Sequence, residues 1–128
     1  MELSNYYPAD CPPVIALPVD GEFFRLVDND PPEFDDFIPH RLKYPNIDYG
    51  NRECQACGIS LILDIEEIPS IRKMVPGLKG KKLSKGVLSS GMGVGLETPS
   101  PKIESHFTWW VPIDVNPWNY FQVITLTG

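Results

Sequence analysis

The chain has 128 residues, 42% of them hydrophobic, and a net charge of −6 from 11 basic and 17 acidic side chains. This length is that of one domain and excludes a second full domain. The acidic balance does not favour nucleic acid or an anionic membrane as a partner. No apolar run approaches the roughly 18 residues of a membrane-spanning helix, and the N-terminus lacks the pattern of a signal peptide. We therefore expect a soluble, cytoplasmic protein with no membrane partner.

Prolines determine the expected fold class. Fourteen of them are spread from Pro8 to Pro117 and cut the chain into segments too short for long helices. The pattern predicts a single small α+β domain, mainly of antiparallel β-strands, with one principal short helix. Residues 1–22 are predicted to form an acidic, proline-rich N-terminal arm, and residues 23–128 to form the domain.

The first predicted strand is the apolar stretch around Arg25, residues 23–27, and it ends before a cluster of Asp, Asn and Pro. The second predicted strand is residues 58–63. Asp64 then offers an N-cap side chain for a helix over about residues 65–74. Apolar residues recur every three or four positions along this helix, which predicts one buried stripe.

Residues 81–89 and 94–98 are predicted to pair as a hairpin across the turn at residues 89–93. The glycines of this region have the spacing Gly-x-Gly-x-Gly. They do not match the dinucleotide fingerprint, because no helical pattern follows them. Residues 120–126 form the last predicted strand.

Charge is unevenly distributed along the chain. Residues 1–40 carry nine acidic side chains and one basic side chain, Arg25, whereas residues 68–96 contain no acid. The second stretch holds a basic patch, made of Arg72, Lys73, Lys79, Lys81, Lys82 and Lys85. We favour packing of the acidic first third on this patch, and the alternative is an exposed basic loop beside a phosphate site.

Cys54 and Cys57 have the C-x2-C spacing of half a zinc knuckle. Cys11, His40 and His106 are the other possible nitrogen and sulfur ligands, and they supply no second knuckle. We therefore predict structural thiols and no metal site. The alternative is a small zinc-binding structural module with Cys54, Cys57 and His106 among its ligands. The odd number of cysteines also favours a reducing compartment.

All three tryptophans, Trp109, Trp110 and Trp118, lie within ten positions. Their rings are suited to stack on a base, a nicotinamide or a sugar, and they are equally suited to fill the core of a small domain. In an extended segment Trp109 and Trp110 point to opposite faces. At most one of these two then fills the core from a given side, and the other is the better ligand candidate.

His106 is a candidate general acid or base and a candidate ligand residue, because the pKa of an imidazole lies near neutrality. It stands close to Ser105 and Thr108. A structural, hydrogen-bonded role is the favoured alternative. No nucleophile elbow, metalloprotease motif or P-loop occurs in the chain, which removes the common hydrolase and NTPase classes.

The sequence places Arg25 on an early strand, Ser60 on a strand that leads into a helix and Glu97 on a late strand. This order and the β-rich content are similar to those of ADP-ribosyltransferase-like toxin domains. The Ser-Thr-Ser triplet of that family is replaced by Ile-Ser-Leu at 59–61, and its Glu-x-Glu pair by Gly-Leu-Glu at 95–97. The resemblance implies NAD chemistry with Arg25, Ser60 and Glu97 in the site.

These patterns favour a small binding or accessory module with an aromatic and histidine ligand surface in the C-terminal third. Its partner is an unidentified small molecule or protein, and its cofactor is unassigned. The alternative is a nucleotide- or NAD-using transferase or effector domain with Arg25, Ser60, Glu97 and His106 as catalytic candidates.

Overall fold

The computed structural model describes residues 2–125 and contains one seven-stranded antiparallel sheet. The α+β class predicted from the sequence is confirmed. The strands are β1 (Leu17–Pro18), β2 (Gly21–Val27), β3 (Ile59–Ile62), β4 (Lys82–Leu88), β5 (Val94–Glu97), β6 (His106–Trp110) and β7 (Phe121–Val123). Their order across the sheet is β1-β5-β6-β3-β2-β4-β7.

The helices are short, as the prolines require. They are α1 (His40–Lys43), α2 (Glu53–Cys57) and α3 (Ile68–Met74), joined by 3-10 turns at Phe34–Phe37, Gly50–Arg52, Ile65–Glu67, Pro76–Leu78 and Pro117–Asn119. The helix predicted after Asp64 comprises the 3-10 turn Ile65–Glu67 and α3. The Asp64 side chain caps this turn by accepting the Glu66 N–H at 2.9 Å. Within residues 2–125, none of the helices has the length and apolar character needed to cross a bilayer.

Short connections force the sheet to curve. Pro18 ends β1 and Gly21 begins β2, so at about 3.6 Å per residue these two positions are at most about 11 Å apart. Four strand spacings of about 4.8 Å separate β1 from β2 in the sheet order, which is about 19 Å if the sheet is flat. The sheet therefore bends back toward itself at this connection. Gly21 has a φ of 120°, which glycine adopts without a steric penalty.

The same curvature explains why the predicted hairpin is wrong. β4 and β5 are joined by residues 89–93, yet β4 pairs with β2 and β7 while β5 pairs with β1 and β6. The glycine-rich residues 89–93 form a turn that connects β4 to β5, which lie four positions apart in the sheet order. The predicted terminal strand is shorter than expected, at Phe121–Val123, and its end at Leu126 lies outside the described residues.

Both faces of the sheet are covered, so the adjacent residues Trp109 and Trp110 are both buried. On β2, Phe23 belongs to one apolar cluster and Phe24 to the other. Trp109 is 0% exposed and donates its Nε1–H to the Met92 carbonyl at 2.7 Å. Trp110 is 1% exposed and donates to the Cys54 carbonyl at 2.9 Å. The expectation that one of the two rings is open to a ligand is wrong, because α2 covers the face of the sheet on which Trp110 lies.

The prediction of two structural thiols is wrong for Cys54, whereas Cys57 is a free, buried thiol. Cys11 and Cys54 form a disulfide across a separation of 43 residues, and only Cys57 is free. The N-terminal arm brings Cys11 to α2, where the Tyr6 hydroxyl donates to the Cys57 carbonyl at 3.4 Å. Disulfides are typical of oxidising compartments, so the cysteine count no longer supports the expectation of a cytoplasmic protein.

The expected packing of the acidic first third on the basic patch is present in two ion pairs. Lys81 lies 3.2 Å from the carboxylate of Asp28, and Lys85 lies 3.3 Å from that of Glu22. Both pairs are partly exposed, so each contributes at most about 1 kcal/mol.

We expect replacement of both Cys11 and Cys54 by Ala to lower the free energy of unfolding by about 2–4 kcal/mol, because the bond closes a long loop in the unfolded chain. Urea denaturation measures this loss. A reductant should lower the stability of the wild type to about that of the double variant and leave the double variant unchanged. Equal stability of the oxidised wild type and the double variant would contradict the bond.

We also expect Trp109→Ala and Trp110→Ala each to cost about 3–5 kcal/mol, because both rings are fully buried. Trp118→Ala should cost less, since this ring is only half-buried and packs on the exposed Phe34 at a centroid distance of 5.5 Å. Where the Ala variants yield no soluble protein, the corresponding Phe variants in denaturation experiments keep the ranking measurable. A Trp118 variant as damaging as the other two would overturn it.

Candidate functional site

Two adjacent cavities open beside β2, β3 and β6. The larger, which we call the basic cavity, has a volume of about 300 Å³, and the smaller, the side cavity, has about 280 Å³. Both are lined by His40, Ser60 and His106. The basic cavity also has Arg25, Lys43, Tyr44 and Lys81 in its wall, and the side cavity has Tyr49, Arg52 and Gln55.

Arg25 occupies a gap in the sheet. Phe24 and Ile62 are the only registered pair between β2 and β3, so the two strands diverge beyond it. The Arg25 guanidinium fills this gap and donates from Nη1 to the Ser60 carbonyl at 2.7 Å and from Nε to the Asp36 carbonyl at 2.8 Å. Burial lowers the pKa of Arg25 to about 10, which still leaves it charged at neutral pH.

Asp36 lies behind Arg25, but its carboxylate is directed elsewhere. It accepts the backbone N–H of Asp28 at 2.7 Å and that of Glu33 at 2.9 Å, and the Asn29 side chain donates to it at 3.0 Å. Burial alone would raise the pKa of Asp36, and these hydrogen bonds outweigh it, so the pKa is lowered. The Arg25 charge therefore has carbonyl partners and no direct carboxylate partner within residues 2–125.

His106 begins β6 and faces the cavities from the opposite wall. Its Nδ1 lies 3.1 Å from the Thr98 carbonyl and 2.8 Å from the Thr98 hydroxyl. Burial is the main cause of the lowered pKa of His106, and the nearby His40 and Arg25 lower it further. The ring is consequently neutral at pH 7.

The short helix α1 carries the remaining wall. Pro39 precedes it and stops it from extending backwards, and Arg41 ties it to α2 through an ion pair with Glu53 at 2.8 Å. This places His40 and Lys43 at the rim. Desolvation, with Arg25 and Lys43 as neighbouring charges, lowers the pKa of His40.

The sign of the charge in the cavities is opposite to that of the whole chain. None of the described residues that line either cavity is acidic, although the chain has a net charge of −6. The lining cations are Arg25, Lys43, Lys81 and Arg52. Only Lys81 among them forms an ion pair with a described residue. The cavities are therefore suited to an anion.

The structure brings together three residues that the sequence analysis selected, namely Arg25, Ser60 and His106. Glu97, the fourth catalytic candidate, lines a separate cavity with Phe107. Of the predicted ligand residues, Trp109 and Trp110 are buried. Trp118 lines a fourth cavity beside Tyr6 and Tyr7. Of the basic patch, only Lys81 reaches the site.

Sequence reasoning missed the contribution of α1. From the sequence, His40 is considered only as a possible metal ligand, and Lys43 is not selected. A four-residue helix has no periodicity to detect. The Pro-His-Arg sequence itself, with proline at a helix start, was the only available signal.

The zinc alternative loses one of its ligands, since Cys54 is bonded to Cys11 and is not a thiolate. Burial raises the pKa of the remaining thiol, Cys57, to about 11, so at neutral pH it is protonated. Across residues 2–125 no three His, Cys, Asp or Glu side chains come together in a way that would hold a metal ion.

Comparison with protein-family models, with curated proteins and with solved structures finds no match to this chain. Function must therefore be inferred from the geometry of the cavities.

We expect the two histidines to make the protein less stable as the pH falls below about 6.5, the ordinary pKa of histidine. Their pKa values are lowered in the fold, so between the two values the unfolded chain binds more protons and unfolding is favoured. Thermal denaturation at pH 7.5 and pH 5.5 measures the loss. Asp36 and Glu67 also have lowered pKa values, but carboxyl groups act nearer pH 4.

The control is a variant with His40→Gln and His106→Asn. Its melting temperature should depend less on pH in this range than that of the wild type. Identical pH dependence in the two proteins would show that neither histidine is responsible.

Proposed function

We propose that this protein is a binding module that takes a small anionic organic ligand in the basic cavity. The observation that carries the proposal is a set of three polar atoms without a protein partner: Arg25 Nη2, Ser60 Oγ and His106 Nε2. None of them makes a hydrogen bond to a described residue, and none is among the fully buried unpaired atoms, where Arg72 Nε is the sole case in residues 2–125. Each of the three atoms is thus in contact with solvent, and their residues line the cavities.

The two donors in this set, on Arg25 and Ser60, select an anion. A guanidinium presents five N–H donors in a planar fork, which matches carboxylate and phosphate oxygens. Two of the five are already fixed on the carbonyls of Ser60 and Asp36, so the orientation of the others is set before a ligand arrives. Ser60 adds a hydroxyl donor beside the fork, and Lys43 adds a second positive charge at the rim.

The walls select an apolar body for the ligand. The basic cavity is lined by Leu26, Ile62, Val75, Leu78 and Ile103 in addition to its polar groups. Its volume of about 300 Å³ is at the lower end of the range for small-molecule sites. An anionic group on an aromatic or aliphatic frame fits this division into a charged side and an apolar side.

The position of Glu97 supports binding over group transfer. The order of Arg25, Ser60 and Glu97 resembles a family that needs all three residues in one site, and Glu97 lines a different cavity from the other two. With the acidic group elsewhere, the basic cavity offers hydrogen-bond donors and a base but no carboxylate.

We expect phenyl phosphate to bind in the basic cavity, with shifts of backbone amide signals confined to its lining in ¹H–¹⁵N NMR spectra. Arg25→Lys should weaken binding by about tenfold or more, because a charge-assisted fork is lost. Since Arg25 also supports the fold, the exposed Lys43→Gln is the second variant, with an expected weakening of about twofold to fivefold.

Lys79→Gln is the matched control, because Lys79 is an exposed lysine of the basic patch that lines neither cavity. Its affinity for phenyl phosphate should stay within about twofold of the wild type. Amide shifts outside the cavity, or equal weakening by Lys43→Gln and Lys79→Gln, would refute the site.

A further inference from the structure

Thr98 holds both the backbone and the side chain of His106. The Thr98 N–H donates to the His106 carbonyl at 2.9 Å, and the His106 Nδ1 lies 3.1 Å from the Thr98 carbonyl. The two residues thus bind each other through backbone and ring at once. This pairs the end of β5 with the start of β6 and fixes which edge of the ring meets the protein.

The Thr98 carbonyl decides the tautomer. A carbonyl oxygen only accepts hydrogen bonds, so a hydrogen bond between it and Nδ1, 3.1 Å away, requires the proton on Nδ1. The Thr98 hydroxyl, at 2.8 Å from Nδ1, also lies 2.8 Å from the Thr108 hydroxyl and is able to donate there. Because burial keeps the ring neutral at pH 7, a proton on Nδ1 leaves Nε2 without one.

We propose that His106 Nε2 is the hydrogen-bond acceptor of the basic cavity, and that its ligand therefore carries a hydroxyl group in addition to its anionic group. The ligand class is that of hydroxylated organic acids and phosphate esters with a free hydroxyl. This inference rests on the anion-binding function proposed above and adds the second recognition element.

The arrangement of the strands separates the two elements. Arg25 lies on β2 and His106 on β6, with β3 and its Ser60 between them. The backbones of β2 and β6 are at least two strand spacings, or about 10 Å, apart, since β2 and β3 diverge beyond their single pair. Donors thus face the ligand from one side of the cavity and an acceptor faces it from the other. The anionic group and the hydroxyl accordingly occupy different parts of one molecule.

The acceptor also disfavours ligands that lack the hydroxyl group or carry a second anionic group in its place. A ligand without the hydroxyl would leave Nε2 desolvated and unpaired against its frame, and an unmade hydrogen bond in a partly buried site lowers affinity. A ligand with a second anionic group at this place would meet a lone pair instead of a donor.

The tautomer is tested first and without a ligand. Long-range ¹H–¹⁵N correlation spectra at pH 7.5 should show the nitrogen shift of a bare Nε2 and a protonated Nδ1 at His106. Thr98→Val should preserve this pattern, because it removes the hydroxyl and keeps the carbonyl. A proton on Nε2 would overturn the inference while leaving anion binding intact.

The ligand class is tested with matched probes, namely phenyl phosphate and its 3-hydroxy and 4-hydroxy derivatives. At least one hydroxylated probe should bind the wild type about threefold to tenfold more tightly than phenyl phosphate does. His106→Asn places an amide donor near the position of Nδ1 and removes the acceptor. It should abolish this gain, so that the hydroxylated probes bind the variant no more tightly than phenyl phosphate does.

The outcomes separate the two proposals. Binding of phenyl phosphate with no gain from either hydroxyl rejects the hydroxylated class and retains the anion site. A gain that persists in His106→Asn assigns the hydroxyl to another residue and also rejects the inference. Absence of binding by all three probes rejects the anion site, and the ligand class fails with it.

Discussion

The contact on which the site depends is the one between the Arg25 guanidinium and the carbonyl of Ser60. β2 and β3 share a single registered pair, and beyond it the strands separate, so the Ser60 carbonyl has lost its usual strand partner. A buried carbonyl without a donor is costly, and so is a buried cation without acceptors. Each group here satisfies the other. The gap in the sheet is thus stable only with the cation in it, and the gap is what opens the cavity.

Curvature of the sheet places the second wall opposite this cation. Because β1 runs almost directly into β2 while the two lie four strands apart in the sheet order, the sheet cannot be flat. Its bending leaves His106, at the start of β6, facing the same space as Arg25. The edge at this point is then closed by α1, which the Arg41–Glu53 pair holds against α2, and the Cys11–Cys54 bond fixes the N-terminal arm to α2 in turn.

Local patterns were sufficient for single elements and failed for long-range relations. The apolar stretch around Arg25 and the capped helix after Asp64 were predicted because period, cap and breaker residues lie close together in sequence. The disulfide between Cys11 and Cys54 was not predicted, because 43 residues separate the two cysteines and only the folded arm brings them together. The hairpin failed for a related reason, since its glycine-rich turn has suitable residues but its strands join opposite parts of a curved sheet. Arg25 and Ser60 were selected through a family resemblance and His106 for the chemistry of its imidazole, and the convergence of the three depends on that curvature.

The acidic composition of the chain and the basic character of the cavity are compatible because they act over different distances. Asp36 contacts Arg25 through its carbonyl, but its carboxylate is satisfied by backbone N–H groups and forms no direct ion pair with the cation. Asp28 and Glu22 instead meet lysines at the surface. At an ionic strength of about 0.1 M, exposed charges more than about 10 Å away are largely screened, whereas a partly buried cation acts at short range with little screening. An anion that reaches the cavity is therefore governed by Arg25, and the net charge of the chain is a poor guide to the sign of its ligand.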